Sequence, residues 1–132
     1  VEKKTVIEKF EDIVAWQTGR NIANTIYELT RKGSIRQDCG FVDQMRRASV
    51  SVMNNIAEGY ERGSNKDFIK FLFIARGSVG EVRSMFYVAL DQGYIDQKVF
   101  RDLSEECKKC ARMIWGLIKS LKQNPDWTEN EG

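Results

Sequence analysis

The chain has no histidine, one proline and no long apolar run, and each absence narrows what it can be. Without histidine it lacks the commonest general base near neutral pH and the commonest metal ligand. The one proline is Pro125, so nothing forces a break in a helix over the first 124 residues. No stretch approaches the roughly 18 apolar residues that span a bilayer, so no membrane partner is expected. The first ten residues, Val1 to Phe10, alternate charged and apolar side chains and hold no signal-peptide core. The start at Val1 rather than methionine reads as a trimmed one. Cysteine is scarce as well. Cys39, Cys107 and Cys110 make an odd number without a secretory signal, which suggests reduced thiols and a cytoplasmic location. Excess charge is also missing: 21 basic and 19 acidic residues leave +2. That balance argues against a protein built mainly to coat nucleic acid, although a local basic patch remains compatible with it.

What is present is helical periodicity in a chain of 132 residues, the size of one domain. The first helix is expected from about Asp12 to Arg31, with Ile13, Trp16, Ala23, Ile26 and Thr30 as its stripe and Gly33 as its stop. Ser34 to Gly40 reads as a loop. The second helix is expected from about Val42 to Glu61, on Phe41, Met45, Ala48, Val52 and Ile56, and Gly63 closes it. Ser64-Asn65-Lys66-Asp67 has the form of a capping box, so a third helix starts near Asn65. Its stripe, Phe68, Leu72, Ala75, Val79, Val82, Phe86 and Ala89, alternates spacings of four and three up to about Gln92 and Gly93. Asp96 caps a fourth helix that reaches about Lys122 on Val99, Leu103, Cys110, Ile114, Leu117 and Leu121, with Cys107 between. Asn124-Pro125 ends it.

Short connections between long helices predict an all-α, antiparallel up-down-up-down four-helix bundle. Residues 1–11 read as an N-terminal extension, 12–122 as the bundle and 123–132 as a flexible polar tail.

The third helix carries more apolar residues than one stripe needs. Ile69, Phe71, Phe73 and Ile74 stand beside the core positions, and Lys70 is the one polar residue between Phe68 and Ala75. These four residues are therefore expected to bury a second face against another subunit. The alternative is that Trp16, Tyr60 or the N-terminal segment covers them. Small residues on the second helix (Ala48, Ser49, Ser51, Ala57, Gly59) and on the third (Gly77, Ser78, Gly80) suit close helix approach. Each mid-helix glycine costs about 1 kcal/mol relative to alanine, which tight packing of another backbone would offset; the alternative is a local kink. Asn55 is expected as a buried amide that fixes register, and Arg46 as an interhelical partner of Glu81 or a phosphate contact.

The residues offer little chemistry. A di-metal bundle site requires Glu-x-x-His pairs, and there is no histidine. Cys107-Lys108-Lys109-Cys110 has Cys-x-x-Cys spacing, but only Cys39 remains to complete a zinc site, and the pair lies on the apolar stripe. No catalytic residue, metal or cofactor is expected, and the chain reads as a non-enzyme. Nucleic-acid binding is harder to dismiss. Arg46, Arg47, Arg62, Lys66 and Lys70 cluster in sequence around the second and third helices. Arg101, Lys108, Lys109, Arg112, Lys119 and Lys122 form a looser set on the fourth, where Asp102, Glu105 and Glu106 interleave with them.

Several blocks also resemble a known family. They are Phe10-Glu11-Asp12-Ile13-Val14-Ala15-Trp16-Gln17, Gln44-Met45-Arg46-Arg47-Ala48 and Asn55-Ile56-Ala57-Glu58-Gly59. With them go Arg62-Gly63-Ser64, Phe68 and Ile74-Ala75-Arg76-Gly77-Ser78-Val79-Gly80-Glu81. The chain resembles, from about Phe10 to Leu121, bacterial four-helix-bundle proteins named for open reading frames in 23S rRNA intervening sequences. The resemblance implies an all-α bundle assembled as a ring-like homopentamer. A related branch comprises accessory proteins of diversity-generating retroelements, which bind a reverse transcriptase and nucleic acid through a strongly basic surface. At +2, this chain departs from that pattern. The expected function is a homo-oligomeric scaffold or adaptor for structured RNA or a ribonucleoprotein partner, with phosphate contacts from Arg46, Arg47, Arg62, Lys66 and Lys70. The alternative is a pure protein-interaction module.

Overall fold

The computed structural model describes residues 7–123. The expected stop at Asn124-Pro125, the polar tail and the first six residues of the N-terminal extension lie outside the described residues. A single 3-10 turn, Phe10–Asp12, leads into α1 (Val14–Leu29). A second, Ser34–Gln37, precedes α2 (Cys39–Glu61), and α3 (Asn65–Asp91) and α4 (Gln97–Gln123) complete the chain. Each helix packs on its chain neighbours and α1 closes against α4, the adjacency of an up-down-up-down bundle.

Local chemistry sets the boundaries. The Ser64 hydroxyl accepts from the Asp67 amide at 3.1 Å, so α3 begins where the capping signal lies. Asp96 accepts from the Val99 amide at 2.8 Å and starts α4. The three expected stops, Gly33, Gly63 and Gly93, all have positive φ (78°, 83° and 76°), where a Cβ would be strained. The start of α2 differs from the expectation. It begins at Cys39 because Asp38 caps it, accepting from the Phe41 amide at 3.4 Å while Tyr94 donates to its other oxygen at 2.8 Å. The stretch expected as a plain loop therefore contains a 3-10 turn whose Ile35 is buried.

The core follows the stripes. All seven expected α3 positions are buried, and Leu72, Ala75, Val82, Phe86 and Ala89 are fully so. On α2, Met45, Ala48, Val52 and Ile56 are buried and Phe41 is half-buried. On α4, Leu103, Cys107, Cys110 and Ile114 are buried, together with Ile118, which the stripe omitted. Phe10 packs edge-on against Trp16, with ring centroids 5.2 Å apart, so the turn before α1 is joined to the bundle.

The α2–α3 hairpin is tight. An added Cβ at Gly59 would lie 2.7 Å from the Phe71 Cβ and 3.2 Å from the Phe68 ring, so glycine is what allows the approach. Midway along, the Ser51 and Ser78 hydroxyls meet at 2.9 Å, and the Asn55 amide donates to Ser51 Oγ at 2.9 Å and to the Ser51 carbonyl at 2.8 Å. Of these, only the Ser51–Ser78 bond crosses from α2 to α3; Asn55, expected as a buried amide that fixes register, is half-buried and bonds within α2.

The hairpin is also where an expected contact fails. Arg46 does not pair with Glu81. Ser51 faces α3, and five residues turn a helix by about 140°, so Arg46 faces α1 instead. There its Nε donates to Thr30 Oγ1 at 2.9 Å, and its guanidinium lies 4.5 Å from the Tyr27 ring centroid.

Candidate functional site

The structure separates the five basic residues picked from the sequence. Arg46 and Arg62 are 16 residues apart on one helix, about 24 Å along its axis. Arg46 is half-buried and tied to the end of α1. Arg47 is exposed and paired with Asp43 at 2.9 Å. Arg62 pairs with Glu58 at 2.8 Å, a hydrogen bond that raises its pKa further, and its guanidinium lies 4.9 Å from the Phe71 ring centroid. Lys66 and Lys70 are exposed on the first turns of α3 and enter no ion pair among the described residues. The outward face of α2 carries Asp43, Arg47, Asn54 and Glu58 along a shallow groove of about 590 Å³. That groove is balanced in charge.

The four apolar residues expected at a subunit interface divide as well. Ile69 is 7% exposed and belongs to the core of its own bundle, which corrects its assignment to the interface. It lies one and two heptads before Arg76 and Arg83, which line the α3–α4 groove, so it falls on the flank beside α4. Phe71 is half-buried on the opposite flank, between Gly59 and Arg62. Phe73 and Ile74 remain 42% and 44% exposed. They begin a second stripe on α3. Phe73, Gly77, Gly80, Ser84 and Tyr87 repeat spacings of four, three, four and three on the outward side, and Val88 extends the apolar end. Added Cβ atoms at Gly77 and Gly80 would meet nothing within 4 Å. These two glycines therefore make no close approach within the bundle, unlike Gly59.

A second surface emerges on α4. At 100° per residue, Arg101, Lys108, Arg112, Lys119 and Lys122 fall within about 80° of one another. Four are exposed and Lys108 is half-buried. Glu105 is the one acid beside them, touching Lys108 at 3.5 Å. Asp102 and Glu106 lie on the other flank, and Asp102 is held by Lys98 at 2.9 Å. Sequence order interleaves these acids with the row, whereas the helix separates them. The angular position of each residue was the signal that sequence order hid. Across the groove, Arg76 and Arg83 of α3 face the row over an opening of about 330 Å³. The Arg76 guanidinium lies 5.1 Å from the Trp115 centroid, the Lys122 ammonium 5.3 Å from that of Phe73, and the two rings meet edge-on at 6.1 Å.

The two stripe cysteines are core groups. Cys107 and Cys110 are fully buried, and loss of solvation pushes both thiols up to about 12. Cys110 donates weakly to the Ala15 carbonyl at 3.8 Å. Cys39 is exposed. No group of three or more metal-ligating side chains occurs among the described residues.

Four antiparallel helices around one apolar core, with charged outer faces, define an all-α four-helix-bundle protein. The family model described as 23S rRNA-intervening sequence protein matches residues 11–116, and the chain belongs to that family. A solved structure with the same fold is a protein of unknown function from the S23 ribosomal protein family of Bacteroides thetaiotaomicron VPI-5482. It is 20% identical, with a TM-score of 0.74, and the match covers 80% of this chain and 96% of that one. No curated protein matches. Neither description names a reaction. No helix among the described residues is long and apolar enough to cross a membrane.

Proposed function

We propose that the protein is a non-enzymatic homo-oligomeric scaffold, a pentamer, that presents charged helix faces to structured RNA or a ribonucleoprotein partner. The second stripe on α3 carries the assembly half of this reading. Phe73, Ile74, Tyr87 and Val88 leave apolar surface at both ends of a row whose centre is small. Such a row admits another helix at short axial distance, and the cost of two mid-helix glycines has no other offset on this face. The number five rests on the family resemblance.

The charge-balanced face of α2 supports the second reading, a protein-interaction module without nucleic acid, because its arginines are already engaged by Asp43 and Glu58. Light scattering at several concentrations tests the assembly. A stable mass near five times 15.3 kDa is expected. A monomer at every concentration overturns the scaffold.

A further inference from the structure

We infer that the cationic row on α4 is a docking surface for the sugar–phosphate backbone of a nucleic-acid duplex, a proposal that deepens the adaptor reading. The arginines and lysines first picked around the α2–α3 hairpin are not its carriers. The row runs from Arg101 to Lys122, about 31 Å along a rigid helix.

Three observations fix the class of partner. The first is charge. The row concentrates five cations on a chain of net +2, with one acid beside them, while α2 pairs its own arginines. A polyanion is the complement of such a row. The second is chemistry. Between Arg101 and Lys122 this face carries Lys and Arg with no Asn or Gln, a set suited first to phosphate oxygens, which position a duplex without reading its sequence. The third is shape. The row is straight and about 31 Å long on one rigid helix, which suits a regular, stacked backbone better than a coiled single strand. A partner with stacked bases and a regular backbone fits, and backbone neutralisation needs no sequence. An oligomer would repeat the row and raise a weak contact by multivalency.

The test uses the full chain and a fluorescent 20-base-pair RNA duplex, followed by anisotropy from low to moderate salt. Binding is expected with a log–log salt slope of about −4 to −5, as five neutralised phosphates would give. The Lys108→Glu/Arg112→Glu/Lys119→Glu variant should abolish it. The corresponding Gln variant should lower the slope by about three. Lys66→Glu/Lys70→Glu should leave binding unchanged. A DNA duplex of the same length and anionic phosphatidylserine vesicles separate the sources of phosphate.

No binding at low salt, equal loss in the Lys66/Lys70 variant, preference for single strands, or binding to vesicles without duplex would each overturn the proposal. Light scattering on the same samples keeps the two readings apart. A monomer that binds duplex through the row sinks only the assembly, and a pentamer that binds none sinks only the row. Circular dichroism melts of the variants confirm that they fold.

Discussion

Single residues divide into those the bundle uses and those it leaves free, and glycine shows the division most sharply. At Gly59 a methyl group would press on Phe71 and Phe68, and the nearest atom, the Phe71 Cβ, cannot swing away. Gly59→Ala should therefore lower unfolding stability by about 1–3 kcal/mol, the usual range for overpacking, measured by chemical denaturation. At Gly77 the space is open and alanine should instead add up to about 1 kcal/mol to the isolated bundle. The buried thiols give a pH signature. Their folded pKa of about 12 stands above the ordinary 9.0, so the unfolded chain ionises first. Their contribution is intact below pH 9 and is lost progressively between pH 9 and 12. The melting temperature of Cys107→Ala/Cys110→Ala should fall less steeply over that window than that of the wild type. Iodoacetamide should label Cys39 in the native protein and reach all three cysteines only on unfolding.

At the scale of the helix, the caps and stripes were legible because they are local. Ser64, Asp96 and three glycines act through their own backbone, and a period of four and three reports one buried face whatever it is packed against. Ser64→Ala removes the hydroxyl that accepts from the Asp67 amide. It should cost about 1 kcal/mol in thermal or urea unfolding without changing assembly. The start of α2 was not legible. Asp38 is a cap only because Tyr94, 56 residues away, steadies it, and no local pattern reports that contact. Arg46 misled for a related reason. Its level along the hairpin was close, but a helix position also needs an angle, and that angle turns Arg46 towards Thr30. The same omission scattered the row on α4 among its acids. Residues four and seven apart share a face, although those between them in sequence do not.

For the whole molecule, the question is which outer face meets a partner. The second stripe on α3 predicts that Gly77→Leu will lower the mass in light scattering while leaving the helical melt intact or raised. Leucine suits an exposed helix position but holds a neighbouring helix away. Unchanged mass would mean that another face assembles, or none. The apolar surplus on α3 was read correctly as excess for one stripe, yet only half of it is free. Ile69 is consumed by the bundle and Phe71 lies half-covered on its α2 flank, while Phe73 and Ile74 open onto solvent.

Sequence alone determined the four helices, their antiparallel order and most of the core, because period, capping and short connections act over a few residues. It also determined the lack of histidine, which removes the common metal and acid–base constellations before any folding. Only the tertiary structure decided which side of each helix faces a neighbour. That choice pairs the arginines of α2 with its own acids and turns Arg46 inward. It buries Ile69 and brings Arg76 and Arg83 across a groove from the cations of α4. Charge and apolar surface become a site through angle and adjacency, and these exist once the helices have packed.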